Sequence, residues 1–278
     1  MLEEISEEHY TGEKLLVHVQ QDMWVPAWML TPRTKTPHPA MMCLHGHGMS
    51  KDVVAGRPRS SREKKKLQQY NGDYGRRFAE AGYAILCPDA RGFGERDDGE
   101  GCKQIGRNAR AFGHTLTGLR MWDHLRCLDY LFSRPGIDAE RVGVAGLSMG
   151  CEHGMYLATL DERVAFAILS CCVREWREEV HDALHCGCSY VPDLFRYFDW
   201  PDVTCLIAPR PVLVQQGLAD DVSMDLVEGA VSRIRNAYGL LDAAESVVTD
   251  FFEGGHQFNF TGAARWLAKT VPVRNHSV

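Results

Sequence analysis

Short apolar runs alternate with segments of helical period along most of the chain. Residues 14–20 and 24–30 are two early runs parted by Gln21-Asp22, and they predict a hairpin. Residues 39–44 contain no charged or amide side chain and predict a strand buried on both faces, running into His45-Gly46-His47-Gly48. Residues 50–72 are polar and partly basic, which predicts a surface excursion. A helix is expected over 73–81, stopped by Gly82, and Tyr83 to Cys87 predicts the next buried strand. Residues 89–113 are rich in Gly, Asp and Arg and predict an irregular stretch. Leu116, Leu119, Trp122, Leu125, Leu128 and Phe132 recur at three- and four-residue steps, a helix over 115–133 that Pro135-Gly136 ends. Strands are expected at 141–145, 164–169, 211–215 and 246–252, and helices at 151–160, 224–238 and 261–269. Residues 171–203 are mixed and read as an insertion contributing to a substrate pocket. Strands that alternate with helices predict an α/β fold, a mostly parallel sheet with helices on both faces. No Pro/Gly/Ser-rich linker or charge block divides 1–278, so a single domain is expected.

Composition narrows the partners more than the fold. The net charge of −6 argues against a nucleic-acid binder, and the basic run Arg62 to Lys66 reads as a solvated loop. No apolar run approaches the ~18 residues of a membrane span. Met1 to Glu8 is acidic without an apolar core segment, so a secretory signal is not expected. Ten cysteines are scattered, and Cys43, Cys87, Cys127, Cys171 and Cys172 lie in apolar runs. They read as reduced, buried thiols, and the expected location is cytoplasmic.

The chemistry centres on Gly146-Leu147-Ser148-Met149-Gly150, between an apolar strand and a helix. A serine at such a turn is pushed out above the sheet edge, and the first helical N–H groups face a developing oxyanion. A serine hydroxyl needs a base, and the base needs a third group to fix its tautomer. Strand 211–215 ends in Gln216-Gly217-Leu218-Ala219-Asp220-Asp221, and strand 246–252 ends in Glu253-Gly254-Gly255-His256. Both loops leave carboxyl ends of strands, where open parallel sheets place ligands. Ser148 is therefore the expected nucleophile, His256 the base and Asp220, ahead of its neighbour Asp221, the acid. The backbone N–H groups of His47 and Met149 are the expected oxyanion donors. Arg91 reads as a loop-pinning residue, with an anion-binding role as its rival. His181, His185, Cys186 and Cys188 have metal-like spacing, read here as the lining of a folded insertion.

The segments LHGHG (44–48), PDARGFGER (88–96), GLSMG (146–150), IAPRPVLVQQG (207–217) and GGH (254–256) together resemble the α/β-hydrolase superfamily. Within it the chain is most similar to the dienelactone-hydrolase and acetylxylan-esterase-like branch. That resemblance implies an eight-stranded, mostly parallel sheet and hydrolysis of carboxylic esters. It implies the same roles for Ser148, Asp220, His256, His47 and Met149. Dienelactone hydrolases proper use a cysteine where this chain has Ser148. The expected function is a serine carboxylesterase acting on small, short-acyl esters, with no metal or organic cofactor. The expected partner is a small-molecule ester, without nucleic acid or membrane, and self-association is left open. Rival readings are a serine peptidase, an acyltransferase of the same fold, and a non-catalytic binding protein.

Overall fold

The computed structural model describes residues 2–179 and 185–273. The chain opens with β1 (Glu3–Ser6), β2 (Tyr10–Gln20) and β3 (Met23–Pro32), each antiparallel to the next. β4 (His38–Leu44), α1 (Lys51–Val54), α2 (Ser61–Tyr70), α3 (Tyr74–Glu80) and β5 (Ala84–Pro88) follow. Next come α4 (Gly101–Ala111), α5 (Leu116–Ser133), β6 (Ile137–Leu147), α6 (Met149–Leu160) and β7 (Phe166–Ser170). Three short helices, α7 (Trp176–Glu179), α8 (Leu194–Tyr197) and α9 (Trp200–Cys205), occupy the next segment. β8 (Val212–Gly217), α10 (Met224–Gly239), β9 (Val247–Phe252) and α11 (Phe260–Thr270) close the fold.

The strands form one sheet in the order β1-β2-β3-β5-β4-β6-β7-β8-β9. From β5 to β9 all neighbours are parallel, while β3 joins β5 antiparallel. The period-two alternation of each strand feeds two cores. Ala40, Met42 and Leu44 of β4 point to one face, with Val142 and Val144 of β6. There they meet Leu128 and Leu131 of α5, Met155 of α6 and Ile234 of α10. Met41 and Cys43 point to the other face, against Val53 and Val54 of α1, Phe78 of α3 and Leu267 of α11. Burial on both faces explains why these strands read as unbroken apolar runs. Removing the side chain of any one of these leucines beyond Cβ would cost on the order of 2–5 kcal/mol.

The sheet has nine strands where eight were expected. The addition is β1 at the edge, whose mostly polar side chains carry little apolar signal. The expected excursion at 50–72 contains α1 and α2. All four α1 side chains are buried, including Lys51 and Asp52. Lys51 Nζ pairs with Asp52 at 3.0 Å, Asp89 at 3.1 Å and Glu95 at 2.8 Å. Burial alone would raise the Glu95 carboxyl, yet Lys14 and Lys51 hold it down at about 2. The expected irregular stretch at 89–113 contains α4, which buries Cys102, Gly106 and Ala109. The cysteines are not all free thiols: Cys151 at the start of α6 and Cys172 after β7 form a disulfide, their Cα atoms 6.1 Å apart. The two sit on neighbouring elements that face each other beneath the elbow, a proximity that scattered positions in the sequence cannot reveal.

Candidate active site

The carboxyl ends of β4 and β6 lie side by side, with Leu44 opposite Gly146. Chain order reverses here, since β5 lies on one side of β4 and β6 on the other. Open parallel sheets place their ligand crevice at such a point.

The elbow is built by close backbone approach. A Cβ on Gly146 would collide with the Gly150 carbonyl, and one on Gly150 with the Leu44 carbonyl. Neither neighbour can yield, because both are backbone. Between the two glycines Ser148 has φ 58° and ψ −120°. A non-glycine residue in the left-handed region costs on the order of 1–3 kcal/mol and persists only where its surroundings fix it. The Ser148 N–H donates to the Ser170 carbonyl at 2.9 Å, which locks the turn to β7.

The loop after β4 is fixed by a buried histidine. The Ala90 N–H donates to His45 Nε2 at 3.0 Å, so Nδ1 carries the proton and donates to the Gly46 carbonyl at 2.9 Å. This assignment follows from the hydrogen bonds. Burial pushes the His45 imidazole below its ordinary range, which keeps that neutral tautomer. Asp89 holds the next loop, accepting from the backbone N–H of Lys51 at 2.8 Å and of Glu95 at 3.0 Å.

His256 and Asp220 arrive from β9 and β8. His256 Nδ1 lies 2.8 Å from Asp220 Oδ2. Gln216 Nε2 donates to the same oxygen at 2.9 Å, and the Asp221 N–H donates to Asp220 Oδ1 at 2.9 Å. Burial alone would raise the Asp220 carboxyl, but His256 and Gln216 outweigh it and hold the group below the usual carboxylate range. Asp221 is exposed. Gly217 permits the loop: a Cβ there would collide with the carbonyls of Gly254 and Gly255. Gly46, His47, Met49, Tyr70, Leu147, Ser148 and His256 line one cavity of about 180 Å³.

The expected residues thus separate clearly. Ser148, His256 and His47 share a cavity, Met149 begins α6 beside them, and Asp220 stands behind His256. Arg91 is turned away from a ligand-binding role. Its Nε and Nη2 donate to both Asp123 oxygens, at 2.6 and 2.8 Å. Of the metal-like set at 181–188, only part falls within the described residues. His181 lies outside the described residues, and the His185 ring packs against Trp176 at 4.5 Å between centroids. Tyr70 and Gln216 were missed. Tyr70 ends a helix in a segment expected to be a polar surface excursion, and Gln216 could have been noticed one residue before Gly217.

Glu152, four residues beyond Ser148, is fully buried, and among the described residues neither carboxyl oxygen has a hydrogen-bond partner. Burial pushes its carboxyl up to about 8 against the smaller pull of nearby Ser189 and Arg120. An acid raised on folding keeps its proton where the unfolded chain has lost it. The contribution of Glu152 to stability therefore falls as pH rises from about 4.5 to about 8. Glu152→Gln should flatten that slope, gaining on the order of 3 kcal/mol over wild type between pH 5 and 8. Urea unfolding at both pH values reads the difference, and an equal gap at the two would contradict it.

A strained serine on a strand–turn–helix elbow, with histidine and aspartate on later strand ends, defines an α/β hydrolase. Residues 1–274 match the model of the Abhydrolase family, and the chain belongs to that family. A Bacillus subtilis (strain 168) protein named "Putative hydrolase YtaP" is 28% identical over 243 residues, 83% of this chain and 78% of that one. Two solved structures share the fold. One, titled a "putative acetyl xylan esterase" from Bacteroides fragilis NCTC 9343, has a TM-score of 0.77 at 21% identity, over 90% of this chain and 69% of that chain. A glucuronoyl esterase from Solibacter usitatus has a TM-score of 0.69 at 16% identity, over 93% and 80%. The expected superfamily is thereby borne out. Among the described residues no helix is long and apolar enough to cross a membrane.

Proposed function

We propose that this single-domain chain is a serine carboxylesterase for small, short-acyl esters. The observation that carries the reading is the 2.8 Å contact between His256 Nδ1 and Asp220 Oδ2, in a site whose cavity also exposes Ser148. Asp220 accepts from Nδ1–H, which leaves Nε2 unprotonated and able to take the Ser148 hydroxyl proton. The serine oxygen then attacks the ester carbonyl. The backbone N–H groups of His47 and Met149 hold the oxyanion, and the imidazolium returns its proton to the departing alcohol. Water repeats the cycle on the acyl-enzyme. None of these steps uses a metal or organic cofactor. The titles of the structural relatives, an acetyl xylan esterase and a glucuronoyl esterase, name ester hydrolases and support this class.

The cavity of about 180 Å³ is below the ~300 Å³ of an ordinary drug-sized ligand site. It fits a short acyl group. p-Nitrophenyl acetate should therefore exceed p-nitrophenyl octanoate in kcat/KM by at least about tenfold, equivalent to ~1.4 kcal/mol. A fluorophosphonate probe should label Ser148. Absence of labelling in folded protein would favour the non-catalytic binding protein, and octanoate equal to acetate would refute the short-acyl assignment.

A further inference from the structure

Ester hydrolysis leaves a second cluster beside the cavity unexplained. His47 Nε2 lies 3.2 Å from the Cys102 sulfur, and that sulfur lies 3.5 Å from the Cys186 sulfur. Cys188 completes the group, with one donor atom from each of the four residues within 4.8 Å of all the others. The donors come from the loop after β4, the first turn of α4 and the segment after α7.

We propose that His47, Cys102, Cys186 and Cys188 form a structural zinc site. Zinc–sulfur bonds of about 2.3 Å in a tetrahedron place neighbouring donor atoms roughly 3.5 to 3.8 Å apart. The separations of 3.2 and 3.5 Å come within a few tenths of an ångström of that arrangement. Three soft thiolates and an imidazole select zinc over magnesium or calcium, and four protein donors leave no open position for catalysis.

Charge supplies independent support. Arg120 is fully buried, and its Nη1 donates to the Cys188 sulfur at 3.5 Å. Its other acceptors among the described residues are the Arg91 carbonyl and the Met149 sulfur. A dication bound by three thiolates carries one net negative charge, which this guanidinium offsets. Zinc binds thiolates, so binding displaces thiol protons. The ion would tie the loop bearing the proposed oxyanion donor to α4 and to the segment after α7.

The test uses the whole protein, reduced, stripped with a chelator and titrated with cobalt(II). The expected result is one cobalt per chain, with thiolate-to-cobalt charge-transfer absorption and the strong visible bands of a tetrahedral centre. One equivalent of zinc should erase them. Cys102→Ser and Cys186→Ser should each weaken binding at least tenfold, while Cys205→Ser should leave it unchanged. Absence of the tetrahedral spectrum in wild type overturns the proposal, whether or not any variant folds. So does a spectrum that survives in the Cys102→Ser/Cys186→Ser double variant. Fluorophosphonate labelling of the same sample reports on the esterase reading separately, because Ser148 is not a ligand.

Discussion

Ser148→Ala is expected to leave a folded protein whose esterase turnover has fallen about 10⁶-fold, the scale seen when a serine protease loses its nucleophile. The serine oxygen supplies the bond that splits one difficult hydrolysis into two easier steps. His256, which lines the same cavity, is committed as the base. Folding should be spared, because the Ser148 side chain makes no capping hydrogen bond to α6. The backbone N–H bond to Ser170 and the two flanking glycines fix the turn, and alanine retains them all. Matching circular dichroism and melting, with p-nitrophenyl acetate turnover near background, is the expected result. More than a few per cent residual activity, with wild-type contamination excluded by mass spectrometry, would mean that another group attacks the ester.

The central sheet was legible because its strands are buried on both faces. β4, β5, β7 and β8 read as apolar runs, and the glycines around Ser148, Gly217 and His256 mark where backbones approach each other. The candidate Ser148, Asp220 and His256 were legible for the same reason, since each follows a strand end. The misses share a different cause. Lys51 is buried with Asp89 and Glu95, far along the chain, against its ammonium, and Asp52 is met by Lys51, Arg59 and the Trp28 indole N–H. Local polarity therefore pointed the wrong way for α1. α4 begins at glycine and carries few apolar residues, so its period was faint against the surrounding Gly and Asp. Pairings of cysteines are set by tertiary contact. Cys151 meets Cys172, and Cys102 meets Cys186 from 84 residues away. Spacing in the sequence puts His185 beside Cys186 and Cys188, while among the described residues the fold brings His47 and Cys102 to those two sulfurs.

The adjacent aspartates give the sharpest test of the site. Asp220 accepts from His256 and Gln216 through Oδ2, whereas Asp221 reaches it only through its own backbone N–H. Asparagine at 220 keeps the shape but removes the charge that stabilises the imidazolium, and its amide can hold the wrong tautomer. In a serine protease that change costs about 10⁴-fold. Asp220→Asn should be crippled to a similar degree, while Asp221→Asn should lose less than about tenfold, ~1.4 kcal/mol of barrier. The depressed Asp220 carboxyl sets the sign of a second readout. Its charge–hydrogen-bond contribution to stability is present above the unfolded carboxylate range and is lost as pH falls through the lower folded value. Asp220→Asn should accordingly lose stability relative to wild type at neutral pH, with the gap closing under strong acid. Asp221 makes no such contact with His256, so its variant should track wild type at both pH values. A dead Asp221→Asn beside an active Asp220→Asn would move the acid by one residue while leaving Ser148 and the fold in place. Full activity in both would place the acid on another strand.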